Sequence, residues 1–204
     1  MKRITYALPA AEALLRHRVD AKRIMAKIER YASTGAGDVK RLVNSSALRL
    51  RIGNYRAVFE ETDTTIIVTH IGPRSSIYSS GGWPTIQTIK TATGETLVIL
   101  PLEEYEALED AADATRHAAA IAKLKRGESE TLTSKEMKAL LAAPKPLAFW
   151  RRKRGLTQAA LAKRGGISQS YLASLETGRR QGDPALIKRL AQALSLRMED
   201  LVAD

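Results

Sequence analysis

The chain contains no cysteine, which excludes a disulfide framework and every thiolate metal site and points to a reducing compartment, the cytoplasm. Its three histidines, at positions 17, 70 and 117, are too scattered for a structural zinc site, and neither metal nor cofactor is expected. No hydrophobic run approaches the length of a membrane span, and Met1-Lys2-Arg3-Ile4 starts basic without reaching the apolar stretch of a signal peptide, so no membrane role is expected. What remains is a chain of 204 residues, 44% hydrophobic and 27% charged, the profile of a soluble globular protein. That length predicts two or three units, each with its own core.

The net charge of +11 is unevenly placed. Residues 1–82 carry 14 Lys+Arg against 7 Asp+Glu, residues 83–145 carry 8 against 10, and residues 146–204 carry 11 against 5. Two basic units therefore flank a mildly acidic one. Basic domains favour polyanions through counterion release, and an acidic insert between them competes for the same surfaces.

The overall pattern is α+β. A strand from Arg3 to Leu8 is followed by helical periodicity from Pro9, with Ile24, Met25, Ile28 and Tyr31 at three- and four-residue spacings until the Ser33 to Asp38 run stops it. Ala47 to Ile52, Tyr55 to Glu61 and Thr64 to Ile71, separated by Gly53-Asn54 and Thr62-Asp63 turns, read as three antiparallel strands. The first unit is thus helices on an antiparallel sheet, residues 1–80. A Ser/Gly-rich junction at 81–85 separates it from residues 86–145. There a hairpin (Gln87 to Thr91, Glu95 to Leu100) precedes a helix that starts at Pro101, carries Leu102, Tyr105 and Leu108 on one face and runs as far as Lys125. Thr133-Ser134-Lys135-Glu136 signals a capping box ahead of another helix.

From residue 146 to 204 the pattern becomes five short helices, with Thr157 and Ser168 as N-caps, Gly165-Gly166 as a tight turn and Asp183-Pro184 as a further start. Arg154-Gly155-Leu156-Thr157-Gln158-Ala159-Ala160-Leu161-Ala162 and Gly166-Ile167-Ser168-Gln169-Ser170-Tyr171-Leu172-Ala173-Ser174-Leu175-Glu176 closely resemble the Cro/repressor (XRE) type of helix-turn-helix. A recognition helix must bury one face, here Ile167, Leu172 and Leu175, while its N-terminal end shows polar side chains to base edges, here Gln169, Ser170, Tyr171 and Ser174. The resemblance implies contacts to DNA by Thr157, Gln158 and Ser168 at the helix starts and by Arg179 and Arg180 to phosphate. It also implies a homodimer or higher assembly on a palindromic operator.

In residues 1–80, the stretch Ala47 to Phe59 and Ile71-Gly72-Pro73-Arg74-Ser75-Ser76-Ile77-Tyr78 resemble the RelE/ParE toxin superfamily. Alternation sends Leu48, Leu50 and Ile52 to one face and Arg49 and Arg51 to the other, with Arg56 joining them from the next strand. In the RelE branch these positions belong to a ribosome-dependent messenger RNA endonuclease. The resemblance implies that Arg49, Arg51, Arg56 and Arg74 stabilise the phosphorane and that Tyr78 stacks on or orients the scissile nucleotide. RelE favours lysines where Arg49 and Arg51 stand, which leaves the general base open, with His70 as a substitute. In the ParE branch the same fold inhibits gyrase and cleaves nothing.

Gly94 to Leu108 resembles the N-terminal part of antitoxins that end in this kind of repressor domain. The expectation is a toxin joined to its antitoxin, with Glu103, Glu106, Glu109 and Asp110 on an acidic helix covering the basic face of this or a partner chain. A plain transcriptional regulator with an inactive toxin-like unit is the alternative.

Overall fold

The computed structural model of the chain describes residues 2–43, 45–73, 87–91 and 93–201. Strand β1 (Arg3–Ala7) leads into helices α1 (Leu8–Arg16) and α2 (Arg18–Thr34), then strands β2 (Val39–Arg41), β3 (Leu48–Ile52), β4 (Tyr55–Glu61) and β5 (Thr65–Pro73). The hairpin β6 (Gln87–Lys90) and β7 (Thr96–Ile99), the long helix α3 (Leu102–Lys125), strand β8 (Thr131–Thr133) and helix α4 (Ser134–Ala142) follow. The C-terminal part is α5 (Pro146–Lys153), α6 (Gln158–Gly165), α7 (Gln169–Glu176), α8 (Pro184–Ala193) and a 3-10 turn over Met198–Asp200. The helical run from Pro9 is broken at His17, which leaves helical geometry and sets its ring edge-on to Tyr55. Gly35 ends α2 at φ 68°, a left-handed cap that glycine adopts without steric cost. Arg74, Tyr78 and the junction expected at 81–85 lie outside the described residues.

Six strands form one sheet in the order β2-β3-β4-β5-β1-β8. The expected antiparallel sheet is in fact mixed, because β1 runs parallel to β5 from Arg3 beside Thr65 to Tyr6 beside Val68. The reason is topological: the helical crossover between β1 and β2 lets the meander end beside the strand that began the chain, and the meander fixes the direction of β5. One face of the sheet is apolar. Tyr6, Leu50, Ile52, Ala57, Phe59, Ile66, Val68 and Ile71 are buried there with Leu14, Ile24, Met25 and Ile28 of α1 and α2. A bulge where Val58 pairs with His70 but Phe59 pairs with Val68 skips Thr69, and so lets Val68 and Ile71 both face the core despite their odd spacing.

Strand β8 corrects the expected separation of the middle region. Leu132, fully buried, pairs with Tyr6, so residues 131–133 complete the edge of the sheet that residue 3 begins. Three residues carry too little periodicity to reveal a strand. Thr133 then caps α4 through the predicted capping box: its hydroxyl accepts from the Glu136 N–H at 3.2 Å, and Glu136 accepts from the Thr133 N–H at 2.8 Å. Met137 and Leu140 of α4 enter the same core, which continues without interruption through Leu147, Trp150, Leu172 and Leu190 to Leu201. The units do not have separate cores.

Two further expectations fail locally. Among the described residues the fifth C-terminal helix is a 3-10 turn over Met198–Asp200, at whose start Asp200 accepts from the Arg197 N–H at 2.9 Å. Pro101 is the residue before α3 rather than its first. No helix among the described residues is long and apolar enough to cross a membrane.

If β8 belongs to the sheet, Leu132→Ala destabilises the whole chain by about 2–5 kcal/mol, the range for a large buried aliphatic. Thr133→Ala costs about 1 kcal/mol through the lost cap. Urea unfolding followed by circular dichroism checks both; a Leu132→Ala cost below that of Thr133→Ala contradicts the placement.

Candidate nucleic-acid interface and a covered arginine face

Helices α6 and α7 form the predicted helix-turn-helix. The Thr157 hydroxyl accepts from the Ala160 N–H at 3.1 Å and starts α6; the Ser168 hydroxyl accepts from the Tyr171 N–H at 3.2 Å and starts α7. Gly166 takes φ 67° in the turn, and a Cβ on Gly165 would sit 2.7 Å from the Leu190 side chain, so a larger residue there would force that buried leucine to shift. Leu172 and Leu175 bury the inner face of α7, with Ile167 half-buried at its approach. On the outer side Gln169 and Ser170 are exposed, and Tyr171 and Ser174 are half-exposed. The Ser174 hydroxyl donates to the Ser170 carbonyl at 3.0 Å, and Ser170 shares a hydrogen bond with Ser168 at 3.1 Å, so of the polar set Gln169 projects with the fewest internal ties. Arg180 lies over the Tyr171 ring at 5.6 Å while Arg179 is exposed.

A network absent from the sequence reading sets the angle of these helices. Arg151 of α5 grips Glu176 at the end of α7 through two hydrogen bonds of 2.6 and 3.0 Å, and donates a third, at 2.9 Å, to the Leu156 carbonyl in the loop before α6. Gln158, expected at DNA, donates to the same Glu176 at 2.9 Å and is half-buried. Burial would raise the Glu176 pKa, but hydrogen bonds from Arg151 and Gln158 hold it below the usual carboxylate value. The signal was available in spacing: Arg151 follows Leu147 at i+4, and Glu176 follows Leu172 at i+4, so each charged residue stands on the buried face of its helix.

The second basic surface is covered. Arg49, Arg51 and Arg56 share the sheet face opposite the core, with Arg51 and Arg56 directly paired across β3 and β4. Helix α3 lies over them with its acidic side inward. Arg49 pairs with Asp110, which Lys40 also approaches at 3.5 Å; Arg51 bonds both Glu106 oxygens at 2.8 Å; Arg56 pairs with Glu109 and, at 2.8 Å, with Asp113. The space left among Arg49, Arg51, Arg56, Glu106 and Glu109 is 10 Å³, room for about one water. Glu103 is exposed and makes no ion pair among the described residues. The inner face of α3 buries Asp110, Asp113 and His117, whereas Leu102 and Leu108, expected to form its apolar contact stripe, are exposed. The surface below is arginine, so carboxylates gain more by facing it than leucines do. Farther along, His117 Nδ1 meets the Thr69 hydroxyl at 2.8 Å, and burial pushes this histidine's pKa down. His70, half-buried and with its pKa lowered by burial, follows Thr69 on β5.

Glu176→Gln leaves Arg151 buried without its counter-ion, and loses about 3–5 kcal/mol of stability at neutral pH. Because the folded Glu176 pKa is depressed, its contribution is complete above the unfolded value of about 4.3 and declines as pH falls through the folded value. Acid titration of wild type and variant by thermal unfolding therefore shows the gap narrowing below about pH 4; a constant gap contradicts the pair's ionic character.

Comparison with known proteins converges on this C-terminal part. Residues 147–201 match the helix-turn-helix family. An HTH-type transcriptional regulator, y4dJ, of Sinorhizobium fredii is 48% identical over 52 residues, which cover 26% of this chain and 68% of the regulator. The crystal structure of the restriction-modification controller protein C.AhdI from Aeromonas hydrophila shares 34% identity over 28% of this chain and 85% of its own, with a TM-score of 0.27. None of these three matches concerns the arginine face or the toxin resemblance. The capped α6–α7 pair and the 48% identity over 52 residues to a regulator covered over 68% of its length lead to one assignment: the chain belongs to the helix-turn-helix family of transcriptional regulators.

Proposed function

We propose that the chain is a sequence-specific DNA-binding regulator that recognises a palindromic operator through α7. The observation that carries this reading is the exposed N-terminal end of α7, presenting Gln169 and Ser170 from a helix held at a fixed angle by the Arg151–Glu176 pair. Gln169 has the amide geometry for bidentate contact with adenine. Arg179 and Arg180 contribute charge to phosphate without reading sequence. A single helix reads only a few base pairs, and two copies about 34 Å apart on one DNA face read a palindrome.

A second reading adds to the first. The inward-facing carboxylates of α3 over Arg49, Arg51 and Arg56 support a toxin–antitoxin fusion, in which a RelE-like messenger RNA endonuclease, or a ParE-like gyrase inhibitor, is held silent within one chain. On that reading residues 1–80 are the toxin, 86–145 the neutralising region and 146–204 the operator-binding domain. The carboxylates occupy positions that RNA phosphates would take on the arginines.

Salt-titrated binding to the promoter fragment and a scrambled control tests the first reading. Gln169→Ala loses about 1–3 kcal/mol of discrimination, whereas Arg179→Ala weakens binding to both DNAs and lowers the salt slope by about one. Equal affinity of wild type for both DNAs rejects operator recognition. For the second reading, induced expression of the full chain with Glu106→Gln, Glu109→Gln and Asp110→Asn arrests growth, and adding Arg56→Ala restores it. Normal growth of the folded triple variant leaves the plain regulator standing.

A further inference from the structure

The hairpin β6–β7 packs differently from the rest of the chain. Its strands have four residues each and, among the described residues, pair only with one another, from Gln87 beside Ile99 to Lys90 beside Thr96. A two-stranded hairpin of this size is marginal in water without a third strand or a covering layer. Every residue of β7 is exposed, and Ile89, Leu97, Val98 and Ile99 keep 45–57% of their surface in solvent. Leu102 and Leu108 at the start of α3 extend the patch, at 45% and 64% exposure.

We propose that this hairpin is the seat of a homodimer, in which β7 of one protomer pairs antiparallel with β7 of its partner across a two-fold axis. The edge chemistry selects that strand. Thr96-Leu97-Val98-Ile99 has no charge, no proline and two β-branched aliphatics, none of the devices that keep an edge single, while the opposite edge, β6, carries Lys90. Antiparallel self-pairing matches a strand with its own copy and closes after two chains, so one unguarded edge and one guarded edge yield a dimer and no fibre. Pairing places Leu97 and Ile99 of both copies on one face and Val98 on the other, producing a four-stranded sheet with shared apolar cover. Of the exposed apolar residues, Leu97, Val98 and Ile99 lie on the pairing strand itself, with 46–57% of their surface open in the single chain. The choice of a second copy rests also on the operator reading, which needs two recognition helices related by a two-fold axis.

The absence of native cysteine makes the test direct. Full-length Leu97→Cys, Val98→Cys and Ile99→Cys are oxidised without DNA and run on non-reducing gels, with Val19→Cys, exposed at 97% on α2, as the control. Sedimentation of wild type and Leu97→Asp accompanies them. The expected result is a wild-type dimer, efficient disulfide linkage at one or more β7 positions and none at Val19, and a folded monomer for Leu97→Asp. A monomeric wild type, cross-linking no better at β7 than at Val19, or a dimer indifferent to Leu97→Asp overturns the proposal. These readouts involve no DNA, so failure of the dimer and failure of operator recognition are distinguished.

Discussion

The architecture depends on the neutralisation of buried arginine. Arg49 and Arg56 are almost wholly removed from solvent, on a sheet face whose apolar part is a small cluster of Leu42, Ala47 and Val58 beside Ala114 of α3. An uncompensated buried guanidinium costs several kcal/mol, so the face is stable only with carboxylates against it. Asp110, Glu109 and Asp113 meet that requirement from a single helix, which also sets Ala114 against the small cluster and joins His117 to Thr69, while Leu102 and Leu108 point to water. The same solution recurs on a smaller scale between Arg151 and Glu176, where it ties α5 to the end of α7.

That logic explains what could be read from the residues alone. The two-residue alternation of β3 and β4 revealed the arginine face, and the caps at Thr157, Ser168 and Thr133 located three helix starts, because period and cap chemistry are local. The acidic character of α3 was equally plain. Its orientation was not, since an apolar pair such as Leu102 and Leu108 predicts burial unless the surface opposite is known to be cationic. The parallel pairing of β1 with β5 and the strand at residues 131–133 depend on contacts far apart in the chain, which no local window contains. Gln158 illustrates the same limit: position in the motif points it to DNA, while Glu176, eighteen residues later, draws it inward.

The continuity of the core couples the two ends of the molecule. Arg154 pairs with Glu130, Lys153 with Glu136 and Arg197 with Glu12, so the helix-turn-helix is fastened to α1 and to the β8–α4 segment by charge as well as by the apolar cluster.

The strand at residues 131–133 also imposes an order on synthesis. The sheet begins at residue 3, yet its last edge is made 130 residues later, and α3 lies between the two in the chain. At about 5–20 residues per second, the arginine strands leave the ribosome several seconds before the helix that covers them, and that helix precedes the strand that locks the edge. Each new molecule therefore has its arginine strands before their cover, and the interval ends because that cover is encoded a few dozen residues downstream on the same chain.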